Sequence, residues 1–118
     1  MGYGSIGRRH CENLHRLGHD VAVLRSGKGK LVLPGAGKHL LEFQSEEECL
    51  SWEPECLVIA TPTSEHVSGA RFGLENGLHV YVEKPLFGEP HELQELLGLA
   101  EQRRLVLLVG YQMRGHKL

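Results

Sequence analysis

Three short runs govern what this chain can fold into. Cys56–Ala60 (CLVIA), His79–Val82 (HVYV) and Leu105–Val109 (LVLLV) are strand-sized and apolar at nearly every position, not at alternate ones. Successive side chains of a strand point to opposite faces, so runs of this kind need cover on both sides. Between them lie two helix-length segments. Ser64–Asn76 (SEHVSGARFGLEN) is closed by Gly77, and Glu89–Arg103 (EPHELQELLGLAEQR) carries Pro90 where a first helical turn accepts it. Strand, helix and strand in alternation predict a parallel sheet covered on both faces. Right-handed crossovers then give a doubly wound α/β layer of Rossmann type.

The first half of the chain continues the alternation. Ser5–Leu17 reads as a helix with Ile6, Leu14 and Leu17 available to a buried face, and Gly18 is its stop. Val21–Leu24 is a short strand, and Arg25–Lys38 is a loop with a brief extended piece at Leu31–Leu33. Leu40–Phe43 is a further short strand. Ser45–Ser51 opens on a capping box, Ser45 with Glu48, and is a short helix.

The chain has 118 residues, enough for one domain. Its 13 basic and 15 acidic residues leave a formal charge of −2. That balance argues against a general binder of nucleic acid or anionic membranes, which carries a basic surplus. No run is long and apolar enough to span a bilayer. Arg8 and Arg9 are not followed by an apolar core of the kind a signal peptide needs, so the cytoplasm is the default location. Cys11, Cys49 and Cys56 cannot all pair within one chain, and reduced thiols are expected. The eight histidines are scattered, so no metal site is expected.

Gly2-Tyr3-Gly4-Ser5-Ile6-Gly7 is a GxGxxG run with a helix directly behind it. In a dinucleotide site the first glycine makes the tight turn and the second admits the pyrophosphate to the backbone. The third lets the helix pack against the strand, and the helix N-terminus faces the phosphates. By composition alone such a run arises about 0.2 times in a chain this rich in glycine, so context must decide. Met1 stands where the lead-in strand belongs. The reading is therefore of a domain incomplete at its N-terminus, with two strand edges left unpartnered in mid-sheet. NAD-preferring sites usually place a carboxylate about 20 residues past the glycines. Here the second strand ends in Leu24-Arg25-Ser26, and Asp20 precedes it. With no carboxylate there, Arg25 and Ser26, helped by Lys28 or Lys30, favour the 2′-phosphate of NADP, with NAD possible.

The stretches VIATPTSEHV, GLHVYVEKPL and LVGYQMRGHKL each close one of the three apolar strands. In this order, and with GYGSIG ahead of them, they resemble the Gfo/Idh/MocA oxidoreductases, and specifically the nucleotide-binding half of a member. The resemblance implies an NAD(P)-dependent oxidoreductase acting by hydride transfer on a small sugar- or polyol-like substrate. It implies that Thr61, Pro62, Thr63 and His66 line the ribose and nicotinamide side of the cofactor. It implies that Glu83 and Lys84 reach the nicotinamide, with Lys84 as the catalytic residue near the substrate hydroxyl and Pro85 often after a cis bond. Arg114 and His116 would point toward substrate. Gln112 and Gly115 depart from the family's Asn and aromatic residue at those places. The resemblance also implies a second domain, absent here, that carries most of the substrate pocket, the acid-base group and the oligomer interface. Without it this chain alone is expected to be inactive. The alternatives are a stand-alone dinucleotide-binding module without catalysis, or a gene remnant.

Overall fold

The computed structural model describes residues 1–27, 31 and 40–111. Helix α1 spans Ser5–Arg16, and strands β1 and β2 span Ala22–Leu24 and Leu41–Phe43. Helix α2 is Glu46–Ser51 and strand β3 is Cys56–Ile59. A single 3-10 turn, Thr63–Glu65, leads into α3, His66–Glu75. Strand β4 (His79–Glu83), helix α4 (Pro90–Arg103) and strand β5 (Leu107–Gly110) complete the order.

Every strand pair is parallel, and the pairs form two sheets, β1–β2 and β3–β4–β5. The alternation read from the sequence is therefore the architecture, with one division in it. Among the described residues no ladder joins β1 to β3. Met1 and Gly2 bridge them: Ala60 N–H donates to the Met1 carbonyl at 2.9 Å, and Gly2 N–H donates to the Leu24 carbonyl at 3.0 Å.

The core forms on one face of the larger sheet. Leu57 and Ile59 of β3 and Val80 and Val82 of β4 are buried there against Ala70 and Leu74 of α3 and Leu96 and Ala100 of α4. Helix α3 lies close because Gly73 has no side chain. A Cβ at that position would stand 2.6 Å from Val80 Cγ2. The opposite face is covered by α1, whose His10 ring sits edge-on to Tyr81 at a centroid distance of 5.3 Å. Cover there is thinner than the doubly apolar strands led us to expect. Leu108, on the same face as Tyr81, is 54% exposed.

Local differences from the sequence reading have local causes. Strand β5 begins two residues late because Leu105 N–H is used to close α4, donating to the Ala100 carbonyl at 2.9 Å. The Ser64–Asn76 segment opens as a 3-10 turn because Glu65 N–H bonds back to the Pro62 carbonyl at 2.9 Å. Ser45 does cap α2, accepting from Glu48 N–H at 3.2 Å, but the Glu48 carboxylate takes Gln44 N–H instead of closing the box. The reciprocal box is at α4, between Glu89 and Glu92. The extended piece at Leu31–Leu33 lies outside the described residues apart from Leu31.

Leu74 is fully buried and Leu97 of α4 is 56% exposed. Leu74→Ala should cost about 2–5 kcal/mol in urea unfolding, through lost transfer energy and a cavity. Leu97→Ala should stay within about 0.5 kcal/mol. Equal losses would mean that the core does not lie where it is described.

Candidate functional site

The carboxyl ends of parallel strands are where an open α/β sheet presents its loops. The first of these loops is the glycine turn. Gly2 has φ of 85°, a left-handed backbone that favours glycine, and a Cβ there would stand 2.7 Å from the Ala60 carbonyl oxygen. Gly7 is buried under the same turn, and a Cβ on it would strike the Gly2 carbonyl oxygen. Gly4 differs: nothing lies within 4 Å of its Cβ position. Gly4 is also the N-cap of α1, where no side chain caps the helix and no acidic residue occupies the first turn. The first amides of α1 thus meet open space beside an exposed glycine, with the positive end of the helix dipole behind them. Ser5 and Ile6 are exposed, and Tyr3 is half-buried beside them.

The close approach of Gly2 to Ala60 and Thr61 brings the second loop alongside the first. Thr61 is half-buried, and its Oγ1 is shut off from solvent without a hydrogen-bond partner among the described residues. A buried hydroxyl in that condition costs free energy unless a ligand or water meets it. Pro62 and Thr63 are exposed at the rim.

The third loop leaves β4. Glu83 is buried, and its Oε1 lies 2.6 Å from His10 Nε2 and 3.5 Å from the Tyr81 hydroxyl. Burial, and then the Glu83 charge, push the Tyr81 phenol above its ordinary value. Lys84 follows, exposed, and the Lys84–Pro85 peptide is cis. Sequence reasoning placed His66 against the cofactor. The structure turns it inward, 2% exposed, with Nδ1 at 2.8 Å from the Pro85 carbonyl and Nε2 at 2.9 Å from the Thr61 carbonyl. A neutral imidazole donates from one nitrogen and an imidazolium from both. Both partners are carbonyl oxygens, so hydrogen-bonding both needs a proton on each ring nitrogen, and the ring lies between the second loop and the third.

At the end of β1 the expectation of a site without a carboxylate needs correction. Arg25 Nε lies 2.9 Å from Glu42 Oε1, and the Arg25 side chain is only 10% exposed. Glu42 comes from the neighbouring strand, diagonal to Arg25 on the same face of the ladder. Ser26 is exposed beside it. Lys28, Lys30, Gln112, Arg114, Gly115 and His116 lie outside the described residues.

Sequence reasoning missed His10, Tyr81 and Glu42. His10 follows Gly7 by three residues, on the same side of α1, but nothing local names Glu83 as its partner. Among the described residues no group of three His, Cys, Asp or Glu side chains converges as a metal site needs. No described helix is long and apolar enough to cross a membrane. The glycine turn, the uncapped helix start, the open space at Gly4 and the orphaned Thr61 hydroxyl together fit a dinucleotide.

The model of the Gfo/Idh/MocA oxidoreductases, a family with an NAD-binding Rossmann fold, matches residues 1–111. The chain belongs to that family. A UDP-N-acetylglucosamine 3-dehydrogenase from Acidithiobacillus ferrooxidans is 29% identical over 116 residues, 98% of this chain and 37% of the relative. A crystal form of that enzyme superposes with a TM-score of 0.59 at 35% identity, over 65% of this chain and 24% of that one. The WlbA dehydrogenase from Thermus thermophilus, solved with NAD and α-ketoglutarate, superposes over 97% of this chain and 40% of its own. Its TM-score is 0.82 at 23% identity, a likeness of fold. The chain spans little more than a third of the length of the curated relatives that it matches nearly end to end.

Gly2→Ala should destabilise the chain by about 1–3 kcal/mol, because it combines a strained φ with a collision against backbone. Gly4→Ala should leave urea stability within about 1 kcal/mol. Equal losses at both positions would contradict the assignment of Gly2 to the fold and Gly4 to the ligand space.

Proposed function

We propose that this chain is the cofactor-binding part of an NAD(P)-dependent oxidoreductase. The reaction is hydride transfer between nicotinamide and the carbinol or carbonyl carbon of a small sugar- or polyol-like substrate. The observation that carries the reading is the convergence of three strand-end loops. The glycine turn lies against Thr61, and His66 braces Thr61 to the loop that holds Lys84.

The residues divide the work. Gly2–Gly7 and the start of α1 hold the pyrophosphate. Thr61, Pro62 and Thr63 receive the ribose and nicotinamide side, with the Thr61 hydroxyl completing its hydrogen bonding there. Glu83, fixed by His10, sets the start of the β4 loop. When bound, the nicotinamide supplies the hydride donor or acceptor. Lys84 is the catalytic residue of this chain: its ammonium meets the substrate oxygen as negative charge develops on it. The acid-base partner and most of the substrate pocket belong to a second domain of a longer protein, so Lys84 alone gives binding without turnover. The activity of the Acidithiobacillus relative on a nucleotide sugar supports a sugar hydroxyl as the substrate class.

Within this reading NADP is preferred over NAD through Arg25 and Ser26, and Glu42 limits the preference. A 2′-phosphate has to share the Arg25 guanidinium with a carboxylate already 2.9 Å away. A partly exposed charge of this kind is worth about 1 kcal/mol, or about fivefold in affinity.

Thermal melts with NADH and NADPH test the reading. Both should raise the midpoint, NADPH more, and Gly4→Ala should weaken both. Glu42→Gln should widen the NADPH-to-NADH ratio of affinities by about fivefold, and Arg25→Ala should abolish it. No shift with either dinucleotide would contradict the function. Shifts that ignore Arg25 and Glu42 would contradict only the preference for NADP.

A further inference from the structure

The joint between the second loop and the third is a single side chain, and its backbone is fixed before its ring is considered. His66 is the first residue of α3, and its N–H donates to the Thr63 carbonyl at the end of the 3-10 turn. From that place the ring enters the interior and is 2% exposed. Nδ1 lies 2.8 Å from the Pro85 carbonyl oxygen, and Nε2 lies 2.9 Å from the Thr61 carbonyl oxygen.

A carbonyl oxygen only accepts, and so does a ring nitrogen without a proton. A neutral imidazole at these distances makes one hydrogen bond and turns a lone pair on the other oxygen. An imidazolium makes both. A ring this deeply buried has little solvent to offset the mismatch. Two carbonyl dipoles therefore favour a positive charge here, while burial and the positive end of the α3 dipole oppose it. Opposed terms of this kind leave the charge removable.

The ionisable groups around the ring are few. Glu65 precedes His66 on its own segment and is exposed. The stretch Ala60–Thr63 carries no ionisable side chain. The loop after β4 brings Glu83, bonded to His10, and the exposed Lys84. At the start of α4, Glu89 and Glu92 close on each other's backbone in the capping box. The ion pairs among the described residues are Arg8–Glu12, His10–Glu83, Arg25–Glu42 and Arg71–Glu95, and none includes His66.

We propose that His66 is a positioning residue in its charged form: an imidazolium that locks the Thr61 loop to the Lys84 loop, and that releases one of them when it loses a proton. It acts on Lys84 through the neighbouring Pro85 carbonyl, and on the cofactor through Thr61. This role rests on the reading of these loops as one dinucleotide site. The locked form presents Thr61 and Lys84 together. A dinucleotide that prefers the locked form binds with uptake of a proton, so its affinity falls as the pH rises.

The chain as given and one variant test this. Ring nitrogen shifts of isotope-labelled histidine are read without dinucleotide from about pH 5 to 8, the range in which histidine changes charge. His66 should show two protonated nitrogens at the acid end, and the Thr61 and Lys84 amide resonances should move with its titration. The affinity for NAD, read over the same range, should fall by about tenfold toward the alkaline end, the scale of one hydrogen bond to a charged group. His66→Gln, whose charge does not change with pH, should bind NAD more weakly and flatten the profile. It keeps His10, so any slope that it retains belongs to the His10–Glu83 pair. A single protonated nitrogen on His66 throughout the range overturns the proposal, whether or not NAD binds and whether or not the variant folds. So does an equal fall of affinity in the parent chain and in His66→Gln. If NAD binds at no pH, the cofactor reading fails, and the ring shifts alone decide whether His66 is the charged lock.

Discussion

The facing edges of this molecule's two sheets are bridged by the backbone of Met1 and Gly2. Among the described residues the β1–β2 sheet and the β3–β4–β5 sheet share no ladder, and the bonds from Met1 to Val58 and Ala60, with that from Gly2 to Leu24, link their facing edges. The candidate site depends on the same link. It sets Gly2 against Ala60 and Thr61, which points the start of α1 across the ends of the strands. A helix dipole acts on a ligand only over the first turn, so the placement of that turn decides whether an anion is held at all.

The loops beyond the strands are then tied to one another by histidines from two different helices. His66, at the start of α3, takes the carbonyls of Thr61 and Pro85, and His10 of α1 takes the Glu83 carboxylate. Lys84 lies between two held neighbours while its own side chain stays exposed. Holding the backbone of a charged residue while leaving its head in solvent is a way to position it without the cost of burying it.

Much of the fold was legible because it is written in local patterns. Continuous apolar runs, helix-length segments between them, Pro90 at a helix start and Gly77 at a helix end each report on a few adjacent residues. The glycine turn and Lys84 were legible for the same reason, since each sits at a strand end that the periodicity marks. The pairs that give the site its electrostatics were not. His10 and Glu83 are 73 residues apart, and Arg25 meets Glu42 only through the register of β1 on β2. His66 illustrates the limit most plainly. Its position beside the loop was readable, but the direction of its ring depends on two carbonyls whose positions only the folded chain sets. The unequal cover of the larger sheet was likewise invisible to a pattern that records which residues are apolar and not what lies over them.

The central claim is that three loops, distant in sequence, form one dinucleotide site. The most direct measurement is a map of backbone amide shifts in the labelled chain as NADH is added. The account predicts that the largest changes fall together on Gly2–Gly7, on Thr61–Ser64 and on Glu83–Lys84, and that all titrate with a single affinity. Changes confined to one of these loops would contradict it.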